Sequence, residues 1–438
     1  MKIKNLLGNR IVHNAGWLIG GKVANKVIAL IVSILTARYL GPDNFGLINY
    51  AAAYTAFFAS LCTLGINSVL VNDFVESPDE VGETIGTTIV LRAISSLMSA
   101  VVIICIVHVV DRNEPLTILV VALSTIGMFF QILDTFNYWF QSRLESKYAA
   151  IASVIAYAGY SAYNIILLIA RKSVAWFAIG TALEYVLLGI VLLIAYVLRK
   201  GPKLGFSWRK GKQLLRRSYP FIIAGMMAAI YANTDKLMLK QMMDTSAVAF
   251  YSLASSLSVA WAFVLSAIID SLYPGIAESY LSDRAVFEKR NRQLYGIVFY
   301  LSTFVSLLIM LIAPLLIDIL YGRSYQPAVA PLRIVVWYTA FSYLGVARNA
   351  WLGCEDRQRY SIYLYVGAAA ANVLLNIAFI PLWGAAGAAA ASLMTEACSI
   401  IVFPALIRPL RPNVRLMVEA IMLKDVRDSV RGKGDNQS

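Results

Sequence analysis

The sequence predicts an all-α polytopic membrane protein with about 12 transmembrane helices. Of its 438 residues, 59% are hydrophobic and only 14% are charged, whereas soluble chains average roughly 25% charged residues. Apolar runs of about 18–20 residues, long enough to cross a bilayer, recur along the whole chain. An outer-membrane barrel would instead alternate in polarity over segments of about ten residues.

The predicted spans fall into two groups of six. The first group is 14–39, 45–71, 85–110, 116–140, 148–170 and 174–198. The second group is 219–243, 247–273, 294–321, 331–352, 360–383 and 384–407. This division predicts an N-terminal six-helix lobe (1–198), a basic linker (199–218), a C-terminal six-helix lobe (219–409) and a tail (410–438).

The linker sets the predicted orientation. Between Arg199 and Arg217 it carries eight Lys and Arg residues and no acidic residue. Because Lys and Arg resist translocation, such a block marks the cytoplasmic face. The loops on the linker's side carry 27 basic residues against five on the other side, with Arg348 counted as a loop residue after span 10. Both termini are therefore predicted to be cytoplasmic, and a nucleic-acid-binding role for the basic patch is disfavoured because membrane spans flank it.

Composition excludes several other classes of protein. The segment 1–10 is short and basic, but the apolar stretch after it is too long for a cleavable signal peptide. The four cysteines and two histidines are isolated, so no zinc site and no cofactor are expected. No phosphate-binding glycine loop or nucleophile beside a base is found, so we expect no enzyme.

Three polar segments outside the spans carry predictions. Five acidic residues occupy the stretch 73–83 without a basic one, and they either face the basic linker or form a solvated loop. The stretches 206–215 and 415–430 mix apolar and basic residues and are predicted to lie on the inner leaflet. The end of the chain, 432–438, is predicted to be disordered.

Basic residues also occur at membrane depth, where they are costly and usually face a partner or a wet cavity. Lys22 and Lys26 share one face of span 1, and Lys236 and Lys240 share one face of span 7, because each pair is four residues apart. Arg92 lies in span 3. These residues are interpreted as a cationic cavity for an anionic passenger, with buried ion pairs or snorkelling side chains as the alternative.

Six acidic residues lie at membrane depth as well, so some of these charges must pair structurally. Among them, Asp270 and Glu184 are the main candidates for proton or sodium coupling, and Asp235 is a third. Asp134 and Asp318 lie near span ends and are expected to be interfacial.

The junction between spans 1 and 2 reads ARYLGPDNFG and contains Arg38, Gly41, Pro42, Phe45 and Gly46. Physically, Gly41 and Pro42 end one helix, and a following polar residue caps the next. The string resembles the signature of the Wzx-type polysaccharide flippases, within the multidrug/oligosaccharidyl-lipid/polysaccharide (MOP) exporter superfamily.

Two further stretches support the resemblance. Residues 233–237, followed by Tyr251, resemble the opening of that family's second half. Asn372, Asn376 and the segment 381–388 resemble its N…N…P..G..GAA pattern. The sequence departs from the family after span 7, where Lys240 and Gln241 replace a frequent glycine.

The resemblance implies two six-helix lobes around a central cavity that opens alternately to either side of the bacterial inner membrane. The implied substrate is an undecaprenyl-diphosphate-linked oligosaccharide, flipped outward for O-antigen (lipopolysaccharide), capsule or exopolysaccharide assembly. The implied partners are membrane lipids, a polysaccharide polymerase and chain-length proteins, with no nucleic acid. A lysine-lined cavity suits the diphosphate, because lysine binds phosphate as a point charge.

Three other functions remain open at this point. A multidrug exporter of the same superfamily would have a cavity dominated by carboxylates, which the lysine pair in span 1 disfavours. A lipid II-type flippase usually has more spans. A membrane scaffold for a polysaccharide assembly complex would keep its function after the intramembrane lysines are neutralised.

Overall fold

Helices form almost all of the computed structural model, which describes the backbone of residues 2–424 and the side chains of residues 28–424. The first nine are α1 Lys2–Thr63, α2 Asn67–Glu76, α3 Val81–Val110, α4 Pro115–Phe130, α5 Thr135–Ser142, α6 Ser146–Ile169, α7 Val174–Ala178, α8 Gly180–Leu198 and α9 Trp208–Met242. The remainder are α10 Thr245–Val259, α11 Phe263–Ser282, α12 Arg284–Tyr321, α13 Val329–Val335, α14 Tyr338–Cys354, α15 Ser361–Ala397, α16 Phe403–Leu406 and α17 Arg411–Ile421. No strand occurs within this described part, so the all-α fold class is confirmed.

The predicted spans correspond to these helices. Seven helical segments of the described chain are long and apolar enough to cross a membrane, and two bent pairs, α10 with α11 and α13 with α14, raise the number to nine. Two of the seven, Ile28–Glu76 and Gln358–Leu406, each contain parts of two predicted spans. The more polar α9 covers the predicted span 219–243 except for its last residue.

Glycines produce the kinks that separate the spans within α1 and α15. Gly41 has φ 71° and ψ 173°, and Gly384 has φ 55° and ψ −129°. Positive φ values are accessible to glycine at little cost, so the turn predicted at Gly41 is present. The side-chain amide of Asn44 donates to the carbonyl of Leu40 at 3.2 Å and so provides a hydrogen-bond partner for a carbonyl at the end of the first helical segment.

The chain forms two compact units, unit 1 (Met1–Asn233) and unit 2 (Thr234–Ser438). In unit 1, α1 packs on α6 and α4, and α6 packs on α8. In unit 2, α12 packs on α14 and α17, and α13 packs on α15. The boundary falls inside α9. Within the predicted linker 199–218, residues 199–200 form a turn after α8, residues 201–207 form an extended segment, and α9 includes residues 208–218.

Ion pairs with the acidic stretch 73–83 hold the start of α9. The ammonium of Lys210 lies 3.1 Å from Asp73 and 2.8 Å from Glu80. Arg217 lies 3.5 Å from Asp73 and 2.9 Å from Glu76. Of the two alternatives for this stretch, the structure therefore favours contact with the basic linker, and the neutralised charges allow the helix to continue.

The extended segment 201–207 lies directly on α3. The amide of Gly205 donates to the carbonyl of Gly82 at 3.1 Å, and the amide of Ser207 donates to the hydroxyl of Thr87 at 3.0 Å. A Cβ atom on Gly82 would lie 2.1 Å from the carbonyl oxygen of Lys203. Small residues on one face of α3 therefore admit this backbone.

Two other predictions about basic segments were wrong. Arg348 is not a loop residue, because it lies inside α14 and is buried. The apolar face of α17 does not lie on lipid: Leu416 and Met417 are buried in the core of unit 2, against α12. The amphipathic pattern there was real, but a protein surface covers it. The rest of the predicted segment 415–430, from residue 425, and the predicted disordered end 432–438 lie outside the described residues.

Candidate functional site

A buried carboxylate forms the centre of a polar cluster in unit 2. Asp235, on α9, is 3% exposed. Its Oδ1 accepts from the side-chain amides of Asn372 (3.0 Å) and Asn376 (2.6 Å) on α15. Its Oδ2 accepts from Ser392, also on α15, at 2.6 Å and from the hydroxyl of Tyr251 on α10. We call these five residues the Asp235 cluster.

The kink in α15 brings both of its arms to Asp235. Asn372 and Asn376 precede Gly384, and Ser392 follows it. The two arms approach closely, because a Cβ atom on Gly387 would lie 2.1 Å from the carbonyl oxygen of Phe379. The glycines of the quoted motif thus have a structural role in building the cluster.

The cluster has the chemistry of a site for a proton or a small cation. Four side-chain groups donate hydrogen bonds to one carboxylate, and a proton or a cation bound there would rearrange them. Oδ1 of Asn376 is buried and finds no hydrogen-bond partner among the described residues, so an acceptor oxygen is available beside the carboxylate. No group of three or more His, Cys, Asp or Glu side chains suited to a metal ion occurs among the residues described.

The predicted lysines are placed differently. Lys236 follows Asp235 on α9 and is half-buried, and its ammonium makes no ion pair among the residues described in unit 2. Lys240 is 9% exposed, near the end of α9. The side chains of Lys22 and Lys26 lie outside the described residues.

Arg92 points into unit 1 and does not reach an open surface. It is 1% exposed, and its Nη1 donates to the hydroxyl of Thr135 at 2.9 Å. Thr135 follows a 3-10 segment, Gln131–Asp134, that interrupts the predicted span 116–140. The Nε and Nη2 atoms of Arg92 are buried and have no hydrogen-bond partner among the described residues. The geometry makes Arg92 a residue that organises this break in span 4.

The other two acidic candidates do not join the Asp235 cluster. Glu184 lies on α8 in unit 1 and is half-buried. Asp270 lies on α11 in unit 2 and is exposed. Of the three predicted coupling residues, Asp235 alone has a set of buried donors among the described side chains.

Sequence reasoning missed two residues that the structure places in buried polar networks. Ser392 was not selected, although it belongs to the same small-residue stretch as Gly387. Asp111, at the end of α3, is 4% exposed and accepts from the hydroxyl of Tyr50 at 2.8 Å. A repeat offered a signal for Asp111: Tyr50 follows Asp43, and Tyr251 follows Asp244, by seven residues each.

The motif turn that contains Arg38, Gly41, Pro42, Phe45 and Gly46 precedes this second network. Phe45 is buried, and Gly41 makes the kink. One helical turn further on, the hydroxyl of Tyr50 lies 3.2 Å from the hydroxyl of Tyr54 and donates a hydrogen bond to Asp111. The turn therefore fixes the position of a buried tyrosine in unit 1.

Comparison with known sequences gives a family and one curated relative. Residues 11–280 match the profile of a family described as polysaccharide biosynthesis protein. The capsular polysaccharide biosynthesis protein CapF of Staphylococcus aureus is 20% identical over 354 residues, covering 78% of this chain and 84% of the relative.

Comparison with solved structures gives the fold. A lipid II flippase MurJ in an inward closed conformation aligns with a TM-score of 0.72 and 12% identity, over 94% of this chain and 91% of that chain. An inward-facing multidrug resistance MATE family transporter of the MOP superfamily aligns with a TM-score of 0.70 and 15% identity, over 90% and 95%. At these identities the likeness concerns the fold alone.

Proposed function

We infer that this chain, which belongs to the polysaccharide biosynthesis protein family, is a flippase for a lipid-linked oligosaccharide. The observation that carries the proposal is the family match over residues 11–280 on a chain with the fold of MOP-superfamily transporters. The protein is a multi-pass membrane protein of a transporter family. We propose that it lies in the bacterial inner membrane with both termini in the cytoplasm, as the distribution of Lys and Arg favours.

The proposed substrate is an undecaprenyl-diphosphate-linked oligosaccharide that moves from the cytoplasmic to the outer leaflet by alternating access. The name of the relative CapF points to capsular polysaccharide, and O-antigen or exopolysaccharide units have the same lipid diphosphate. The diphosphate needs cationic partners within the membrane. We propose Lys22, Lys26, Lys236 and Lys240 for that role, with a polymerase and chain-length proteins receiving the product.

We propose Asp235 as the coupling residue. A carboxylate with four buried donors responds strongly to protonation or to a bound cation, because either one changes which hydrogen bonds it accepts. The donors come from α10 and from both arms of α15. A change in charge at Asp235 would therefore act on three helical segments of unit 2 at once.

The test is outward flipping of a labelled undecaprenyl-diphosphate oligosaccharide in inverted vesicles. Transport is expected for the wild-type protein and expected to collapse in Lys22→Ala/Lys26→Ala. A control, Lys289→Ala/Arg408→Ala, removes two exposed cations and should transport normally. Persistent transport in the first variant would remove those lysines from the substrate path and favour a structural role for them.

The same vesicles separate the other functions. No transport by the wild-type protein with a matched lipid, but efflux of cationic drugs, would replace the proposal with a multidrug exporter. Neither activity, with intact polysaccharide assembly in cells, would favour a scaffold. For coupling, Asp235→Asn should abolish the dependence of transport on an imposed proton or sodium gradient, and the gradient that drives the wild-type protein identifies the ion.

A further inference from the structure

The start of α9 and the segment before it carry exposed side chains that do not pack into the interior of unit 1. Residues of the extended segment divide into those that bond to α3 and those whose side chains are exposed. Gly205 and Ser207 face α3 and bond to it. Leu204, Phe206 and Trp208, which alternate with Gly205 and Ser207 along the chain, face outward and are 48%, 55% and 56% exposed. This face therefore carries three large apolar side chains in a row.

The outward aromatic pair is held in place by the backbone behind it. Phe206 and Trp208 lie with ring centroids 6.5 Å apart. The carbonyl of Pro202 accepts from the buried Tyr196, and a Cβ atom on Gly86 would lie 2.1 Å from the carbonyl oxygen of Gly205. The apolar residues are thus fixed at the surface and do not collapse onto the unit.

The basic residues of the same region separate into two groups. Four of the eight are neutralised by nearby carboxylates: Arg199, Arg209, Lys210 and Arg217. The other four, Lys200, Lys203, Lys212 and Arg216, are exposed and form no ion pair with the described residues. Local pairing therefore leaves an excess of positive charge on the side that carries the exposed aromatic residues.

We propose that this face binds the anionic lipid surface of the inner leaflet. It comprises Lys203, Leu204, Phe206, Trp208, Lys212 and Arg216, and we call it the linker surface. Tryptophan and phenylalanine favour the interface between headgroups and acyl chains. Exposed Lys and Arg beside them attract anionic headgroups, and each contributes about fivefold to association near the surface.

This assignment differs from the sequence-based prediction that the whole stretch 206–215 lies on the inner leaflet. Leu214 is fully buried and Lys210 is 2% exposed, so the helix itself turns these residues into unit 1. The lipid-facing part is the extended segment with the first turns of α9. Charge complementarity selects an anionic lipid as the occupant, since the nearest carboxylates of the protein are already paired.

The experiment uses the purified full-length protein in vesicles that contain brominated phosphatidylglycerol or brominated phosphatidylcholine, each over the same series of mole fractions. Subtracting the tryptophan fluorescence of Trp208→Phe from that of the wild type gives the emission of Trp208. Brominated phosphatidylglycerol should quench this component at about one-fifth the mole fraction that brominated phosphatidylcholine needs, the factor expected for at least one engaged cation. The preference should fall at 1 M salt, where the Debye length is about 3 Å.

Two charge-matched variants complete the test. Lys203→Gln/Lys212→Gln/Arg216→Gln should lose the preference for phosphatidylglycerol. The control variant Arg112→Gln/Arg171→Gln/Lys172→Gln removes three exposed cations from loops predicted on the other side of the membrane. It changes the net charge by the same amount and should retain the preference for phosphatidylglycerol.

Three results would overturn the proposal. Equal quenching by both lipids would mean apolar contact without selection of charge. No quenching by either lipid would mean that Trp208 does not contact the bilayer, as a docked acidic protein would produce. Equal loss in both triple variants would reduce the effect to net charge. None of these results depends on whether the protein flips an oligosaccharide.

Discussion

Replacing Lys210 with methionine is expected to lower the free energy of unfolding of unit 1 by about 3 kcal/mol. The Lys210 ammonium lies 3.1 Å from Asp73, and the two side chains are 2% and 1% exposed. Removing one partner of a buried ion pair costs about 3–5 kcal/mol, because the other charge stays buried. The lower end applies here, since Asp73 keeps the hydroxyl of Thr84 at 2.9 Å and Arg217 at 3.5 Å.

The measurement is the thermal unfolding midpoint of the full-length protein in detergent. For a unit of this size, about 1 kcal/mol corresponds to about 2–4 °C, so Lys210→Met should lower the midpoint by about 6–12 °C. The matched control is Lys212→Met, an exposed cation two residues along the same helix. Exposed positions of this kind change stability by about 0.5 kcal/mol or less.

A second variant tests whether the pair itself is responsible. Lys210→Met/Asp73→Asn removes both charges, and replacing a whole buried pair is far less costly than breaking it. The double variant should therefore recover a large part of the loss. Two results would refute the reasoning that the buried pair holds the start of α9. One is that Lys210→Met unfolds at the same temperature as Lys212→Met. The other is that the double variant is destabilised by the sum of the losses measured for the two single variants.

The pH dependence has a defined sign. Burial lowers the pKa of Lys210, but hydrogen bonds and charges from Glu80 and Asp73 outweigh burial, so its pKa is raised above the ordinary 10.5. A raised pKa in the folded state gives stability that is complete below the ordinary value and is lost as pH rises through the folded value. The difference between the wild type and Lys210→Met should therefore persist at neutral pH and shrink above about pH 10.5.

Three further substitutions probe other contacts. Gly86→Ala would place a Cβ atom 2.1 Å from the carbonyl oxygen of Gly205, so the unfolding midpoint should fall by several degrees, whereas Gly296→Ala, with open space around it, should not change it. Tyr251→Phe removes one donor from a buried carboxylate and should cost about 1.5–3 kcal/mol in urea unfolding, and an unchanged midpoint would contradict the bond. Burial raises the pKa of Glu419, but two neighbouring cations outweigh burial and lower the pKa to about 2. The stability difference between the wild type and Glu419→Gln should therefore decrease as pH falls from about 4.5 towards about 2. A constant difference over that range would exclude the ion pairs as its cause.

The membrane class, the helices and the family could be read from the sequence because their signals are local. A run of apolar residues is long enough to cross a bilayer whatever its neighbours are. The break at Gly41 was predictable because a glycine next to a proline ends a helix by its own backbone preferences. The same local reasoning found Asp235, Asn372 and Asn376 as parts of separate motifs.

Their assembly into one site could not be read from the sequence. Asp235 is separated from Asn372 by 137 residues and from Ser392 by 157. Only the packing of α9 and α10 against both arms of α15 decides that these donors share a carboxylate. Packing also decides against Asp270, which has the same charge at membrane depth but lies on an exposed face of α11.

By itself, then, the sequence determined that the protein is an α-helical membrane protein with the motifs of a polysaccharide family, since hydropathy and short motifs depend on neighbouring residues along the chain. The tertiary structure decided which charges are paired and which are free. Lys210 and Lys212 look alike in the sequence, yet one is buried on Asp73 and the other is exposed. The physical reason is that the free energy of a charge in a protein depends on its burial and on partners that the fold brings from distant parts of the chain.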